Sequence, residues 1–364
     1  MRVLMLSLDR GLLGISASGD AVARHRRYAD SIGSLDVIVF APPSAREKLW
    51  ADNFRVYPSG SGKLFHFSRA EKLAKKLASG SVYDLLVTQD FASPVGARLK
   101  RELHIPWIVS VHGMFFSASW LGWSPVNWYL FHQIKKAIRG ADGFRVNNNA
   151  IKEKLQQWGI GKPILVQPTA IDIQKFKSQN SKVKITNQNS KLKILYVGRL
   201  SPEKNIGMLI QATKKIKHDL ELQIVGSGTE EARLKGLAAG DDRIVFLGEK
   251  KYEDLPSIFQ AADIFVLPSR TETFGQVLLQ AAAAGCAIVA TRTTGASAFI
   301  THLQNGWLTE VDNERELGAA IETLITDRRQ RDDLAASAGK LAGEYDMNAA
   351  TEKLIKFWKE VARK

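Results

Sequence analysis

Cysteine is almost missing from this 364-residue chain: Cys286 is the only one. No intramolecular disulfide can form, and a reducing compartment such as the cytoplasm fits. Cys286 lies in Ala284-Gly285-Cys286-Ala287-Ile288, the setting of a small buried filler rather than a reactive thiol. No apolar run is long and unbroken enough to span a bilayer. Residues 1–8 have the length of a short signal core. They lack a small-residue cleavage pattern and run into Asp9-Arg10, so they read as a first strand. The seven histidines show no metal-ligand spacing and no paired-Asp motif occurs, so no metal cofactor is expected. Gly226-Ser227-Gly228 is not a dinucleotide fingerprint, because Glu231 stands where the last glycine of that pattern belongs. This disfavours a dinucleotide-dependent oxidoreductase. No phosphate-cradling loop ends in Gly-Lys-Ser/Thr, and no repeat of solenoid length is visible.

Negative charge is scarce in the first half. Residues 1–180 hold 25 Lys or Arg against 13 Asp or Glu, which is +12 of the chain's net +14. A basic excess on one side points to an anionic partner surface or to a solvated face, and charge alone does not choose. Residues 103–134 contain no charged side chain but carry Trp107, Phe115, Phe116, Trp120, Trp123, Trp128, Tyr129 and Phe131. Such aromatics suit a membrane interface or a lipid-linked acceptor, or else a core. Lys63 to Lys76, with Leu73 and Leu77 among the cations, has the pattern of a basic surface-lying helix. These features and the charge bias together favour a first domain that meets an anionic membrane. Nucleic acid is not expected, since no binding motif accompanies the cations.

What is present in quantity is alternation of buried strand-like and helix-like segments. Strands are expected at 3–8, 35–40, 85–88, 107–111 and 143–147, then at 193–198, 222–226, 244–248, 263–267 and 287–290. Helical patterns separate most of them, and two more, near 328–343 and 347–362, close the chain. Two doubly wound parallel α/β sheets follow, since the length exceeds one ordinary core. The expected domains are 1–176 and 191–346, joined by the polar stretch 177–190, with 347–364 returning to the first domain.

Two loops carry most of the chemistry. One is Val197-Gly198-Arg199-Leu200-Ser201-Pro202-Glu203-Lys204-Asn205; the other is Pro268-Ser269-Arg270-Thr271-Glu272-Thr273-Phe274-Gly275. Each follows a strand and precedes a helix, so both belong at a sheet's carboxyl edge, where ligands bind. Arg199 and Lys204 suit a diphosphate and the charge that develops on a leaving phosphate. Glu203 reads as a helix-start carboxylate. The free amides of the helix starting near Gly275 suit phosphate, and Glu272 suits neutral hydroxyls. A sugar joined to a nucleotide diphosphate needs that combination.

In order and spacing, Gly198 to Asn205, Val225 to Gly228, Phe246-Leu247-Gly248, Ala262 to Ser269 and Glu272 to Gly275 resemble the donor half of glycosyltransferase family 4. That resemblance implies the GT-B fold, two Rossmann-like domains facing across a cleft, and retaining transfer from a nucleotide sugar. It implies that Arg199 and Lys204 hold the donor diphosphate and Glu272 the sugar. Gly198, Gly226, Gly228, Thr273, Phe274 and Gly275 would shape the donor site. His112, in Val111-His112-Gly113, resembles the family histidine near the donor sugar. The second family glutamate, a ribose ligand, is replaced by Gln280, which still accepts a hydrogen bond but lacks charge. Thr169-Ala170-Ile171-Asp172 likewise departs from the family's Asn-Gly-Val-Asp. The loop holding Gly14 contacts donor phosphate, contacts acceptor, or is a plain turn; all three stand open. The acceptor expected is a glycan or a lipid-linked saccharide, met in the cytoplasm or on the inner membrane leaflet. A non-catalytic sugar-nucleotide-binding or scaffold protein of the same fold is the alternative, resting on Gln280.

Overall fold

The computed structural model describes residues 1–15, 20–62, 65–112, 114–116, 118–177, 191–272 and 275–363. Two units emerge, Met1–Pro168 with Asn348–Lys364, and Thr169–Met347. The linker expected at 177–190 lies outside the described residues beyond Lys177.

The first unit is built on an eight-stranded sheet. Its strands are β1 (Arg2–Ser7), β2 (Ser34–Val39), β3 (Lys48–Ala51), β4 (Phe54–Pro58), β5 (Leu85–Gln89), β6 (Trp107–Val111), β7 (Gly143–Val146) and β8 (Ile164–Val166). They run in the order β3-β4-β2-β1-β5-β6-β7-β8, parallel throughout except for the β3–β4 pair. The apolar runs that mark β1, β2 and β5–β7 are buried on both faces, as a helix-covered parallel sheet requires. The sequence reading missed β3, β4 and β8. The first is an edge strand with little burial, and the last has only three residues.

Helices α1 (Ala21–Ile32), α2 (His66–Ser79), α3 (Ser93–Leu103), α4 (Ala118–Leu121), α5 (Pro125–Ala137) and α6 (Asn149–Gln157) flank this sheet. The basic helix α2 does not have the free apolar side that its pattern suggested. Ala70 and Ala74 are buried in the unit's own core, with Phe67, Leu73 and Leu77 packed beside them. Lys75 is bridged to Glu71 and Glu102, and Arg98 to Glu71. The aromatic stretch divides. Trp107 and Phe115 are fully buried, whereas Trp123, Trp128 and Tyr129 are exposed.

The second unit opens with α7 (Ile173–Phe176) and continues with β9 (Leu192–Val197), α8 (Ile206–Lys215), β10 (Leu220–Val225), α9 (Glu231–Ala238), β11 (Ile244–Gly248) and α10 (Leu255–Ala261). β12 (Ile264–Leu267), α11 (Gln276–Ala283), β13 (Ala287–Thr291), α12 (Thr294–Ser297), β14 (Trp307–Thr309), α13 (Glu314–Thr326) and α14 (Arg328–Ala342) complete it. The parallel order is β11-β10-β9-β12-β13-β14. Ile171, Ile173 and Phe176, placed before the domain boundary by the sequence reading, are core residues of this unit. Cys286 is buried there, its thiol against the Phe259 carbonyl.

The last helix, α15 (Met347–Ala362), buries Leu354, Phe357, Trp358 and Val361 in the core of the first unit. Removing such side chains from water stabilises by about 1.5–3 kcal/mol each, which anchors the end of the chain.

Candidate active site

In the second sheet β9 lies between β10 and β12, so strand order reverses on either side of it. The carboxyl ends of these strands define the crevice in which open α/β sheets bind ligands. The 198–205 loop leaves β9 there, the 226–230 loop leaves β10, and the segment 268–272 leaves β12.

Backbone contacts between neighbouring loops fix their shape. The Gly198 amide donates to the Val225 carbonyl at 3.0 Å, and the Leu200 amide to the Ser227 carbonyl at 2.9 Å. The Gly226 amide donates to the Gly248 carbonyl at 2.9 Å. Gly226 takes φ +135°, and a Cβ there would meet the Gly198 oxygen at 1.9 Å. A Cβ at Gly228 would meet the Leu200 oxygen at 2.3 Å. Glycine is therefore required at both positions by the neighbouring chain, whatever ligand approaches.

The structure joins Lys204 to Glu272. Lys204 Nζ donates to Glu272 Oε2 at 2.7 Å, with both side chains about six-sevenths buried. Lys204 ends a short 3-10 turn (Pro202–Lys204), and Asn205 then takes φ +51° to enter α8. Glu272 is held from the other side by its own carbonyl, which accepts from the Gly295 amide at 2.8 Å. Gly275, with φ +73°, starts α11. Thr273 and Phe274 lie outside the described residues.

Arg199 does not join that pair. Its side chain is 75% exposed and donates to Glu203 Oε1 at 3.1 Å. Glu203 also accepts from Ser201 Oγ at 2.7 Å. Burial works to raise the Glu203 carboxyl, but Ser201, its own backbone and the Arg199 and Lys204 charges hold it below its ordinary range. Glu203 is thus more than a helix-start charge: it holds the cation that the sequence reading assigned to diphosphate. Beneath the loop the buried Tyr196 hydroxyl donates to the Arg199 carbonyl at 3.0 Å. Burial and then the Glu272 and Glu203 charges raise that phenol, so it stays neutral.

Gln280 faces inward on α11, 6% exposed, and its Oε1 is buried with no hydrogen-bond partner among the described residues. A buried carbonyl oxygen left this way costs about 1–3 kcal/mol unless something donates to it.

In the first unit, His112 and Asn147 follow β6 and β7, whose last residues are paired. Asn147 Nδ2 stands 3.3 Å from His112 Nδ1. The His112 amide donates to the buried Asp90 carboxylate at 2.9 Å. Burial, then the Arg145 and Arg24 charges, push the His112 imidazole down to about 3, so it is neutral at working pH. Arg145 is a buried cation in the middle of β7, itself pushed down by burial to about 10. The sequence reading missed Asn147 and Arg145. A lone arginine inside an otherwise apolar strand pattern was the available signal. Gly14 takes φ +70° behind a 3-10 turn (Arg10–Leu13) that Asp9 caps, and its Cβ side is open. Turn geometry alone accounts for that glycine.

Comparison with known proteins agrees with this architecture. Residues 177–341 match the model of "Glycosyl transferases group 1", and residues 33–175 match "Glycosyltransferase Family 4". The D-inositol 3-phosphate glycosyltransferase of Corynebacterium urealyticum is 27% identical, over 99% of this chain and 96% of its own. An uncharacterized glycosyltransferase of Methanocaldococcus jannaschii, MJ1178, is 26% identical over 80% of each chain. Among solved structures, sucrose-phosphate synthase from Thermosynechococcus elongatus superposes with a TM-score of 0.86 at 19% identity, covering 99% of this chain and 98% of the other. Anabaena Alr3699/HepE in complex with UDP gives 0.78 at 22% identity, covering 99% and 100%. Two parallel α/β units of this topology, matched along most of their length by these two models, place the chain in glycosyltransferase family 4, with the GT-B fold and hexosyl-type transferase activity.

Proposed function

We propose that this glycosyltransferase moves a sugar from a nucleotide-diphosphate donor to a glycan or lipid-linked acceptor, with retention of anomeric configuration. The Lys204–Glu272 pair at the sheet switch point carries the reading. Without donor, the lysine and the carboxylate neutralise each other. A bound diphosphate offers Lys204 a stronger anion and leaves Glu272 to accept from sugar hydroxyls. Arg199 is exposed enough to exchange Glu203 for the same diphosphate. These cations carry the phosphate charge, so no metal is required. The buried Gln280 oxygen accepts from a ribose hydroxyl. UDP is bound in the Anabaena HepE structure, which makes a uridine donor the first to try.

In the reaction the bond from the anomeric carbon to the leaving phosphate oxygen breaks. A bond to the acceptor oxygen forms on the same face, and the acceptor proton passes to the departing phosphate. The described residues provide positioning and charge stabilisation at the leaving group. A thermal-shift panel of UDP-, GDP- and ADP-sugars tests the donor class. One base series should raise Tm by several degrees at saturating ligand. No shift with any of them would sink the reading.

The transfer takes place at the cytoplasmic face of an anionic membrane, with the basic first unit towards the lipid.

A further inference from the structure

Helix α5 has two very different sides. Inward, Ile134 is buried and Phe131 packs on Trp158 and Phe115, ring centroids 5.6 and 6.5 Å apart. Lys135 lies over the Phe131 and Trp158 rings. Outward, Trp123 is fully exposed, Val126 and Tyr129 are nearly two-thirds exposed, and Trp128 is 44% exposed. Large apolar side chains in such numbers at one place call for a partner. The turn that carries them is fixed rather than loose. Ser124 Oγ accepts from the Asn127 amide, Asn127 Nδ2 donates to the Trp120 carbonyl at 2.7 Å, and Trp128 Nε1 donates to the Gly122 carbonyl at 3.2 Å.

Charge identifies the partner. Val126, Tyr129, Gln133 and Lys136 recur at helical spacing, and exposed Arg139 follows one turn on. From residue 103 through 141 the chain has no Asp or Glu, and its only charges are Lys135, Lys136 and Arg139. An aromatic end with indole and phenol groups, followed by cations, matches the boundary between acyl chains and anionic headgroups. A second copy of the chain fits poorly. Four side chains fall well short of the roughly 20–30 residues per side of a stable interface, and like charges would face each other across a two-fold axis.

We infer that the turn into α5, through Trp123, Val126, Trp128 and Tyr129, inserts into an anionic lipid surface while Lys136 and Arg139 hold the headgroups. This rests on the membrane part of the proposed function and not on its transfer chemistry. Of the two elements that the sequence suggested, it keeps the aromatic stretch and drops α2, whose apolar side is covered.

The test uses the full chain and vesicles, with no donor present, so failure of the transfer reading leaves it untouched. Wild type should co-sediment at low salt with vesicles of equal phosphatidylcholine and phosphatidylglycerol, and not with phosphatidylcholine alone. Trp123→Ser combined with Tyr129→Ser, both at exposed positions, should lower the partition coefficient at least about tenfold. Lys136→Glu combined with Arg139→Glu should do the same. Lipids brominated near the headgroup should quench wild-type fluorescence more than that of Trp123→Phe. The inference is overturned if wild type ignores the anionic vesicles, or if the aromatic pair can be changed without loss of binding. Self-association abolished by the same changes, with no vesicle binding, would assign the surface to a second copy instead.

Discussion

Lys204→Ala should lower kcat by about two to three orders of magnitude, the usual cost of removing one fixed charge from a developing anion. The loss should appear in kcat and in kcat/KM alike. A lysine that only held the ground-state diphosphate would instead raise KM and leave kcat alone. The substitution also removes the Lys204 cation from Glu272, which is about six-sevenths buried. A stability loss of about 1–3 kcal/mol is expected from breaking this largely buried ion pair. Glu272→Gln separates the two effects. It removes the negative partner but keeps an acceptor for sugar hydroxyls, so the fold should hold better than in Lys204→Ala. Steady-state kinetics with the donor selected by the thermal-shift panel, together with urea unfolding, read both quantities. Lys204→Ala with near wild-type turnover would remove the basis for placing the leaving group at this pair.

The second large effect is structural. Gly226→Ala should destabilise the second unit by at least about 3 kcal/mol. It adds backbone strain at φ +135° to a Cβ placed 1.9 Å from the Gly198 carbonyl oxygen. Neither contact partner is a side chain that can rotate away, so the 198–205 loop itself must shift. For a unit of this size such a loss lowers Tm by roughly 6–12 °C. Gly236→Ala is the matched control. Gly236 lies within α9 with nothing within 4 Å of a new Cβ, and alanine there should stabilise by about 0.5–1 kcal/mol. Differential scanning calorimetry gives both signs. A Gly226→Ala protein as stable as wild type would mean that the two loops are not packed as described.

The sequence made different parts of this protein legible to different degrees. Buried parallel strands announce themselves as unbroken apolar runs, so β1, β9 and β12 were readable. Edge strand β3 carries no such signal because few of its side chains need burial, and the three-residue strands β8 and β14 are too short to form an apolar run. At the site, residue types and spacing placed Lys204 and Glu272 in loops at the same sheet edge, 68 residues apart. Their direct pairing was not readable, nor was the turning of Arg199 to Glu203. Both depend on loop trajectories set by the Gly198 and Leu200 backbone bonds. The amphipathic pattern of α2 misled because periodicity marks an apolar side without saying what covers it.

What the sequence determined by itself was the succession of strands and helices, the two-unit α/β class and the chemistry available in each loop. These follow from local burial patterns and from residue type. Tertiary structure alone decided which glycines are needed for chain packing, which carboxylate holds which cation, and that α2 covers its apolar side while the aromatics at the start of α5 stay exposed. Those outcomes arise from contacts between segments far apart in the chain, and a distance of a few tenths of an ångström between such segments leaves no trace in spacing.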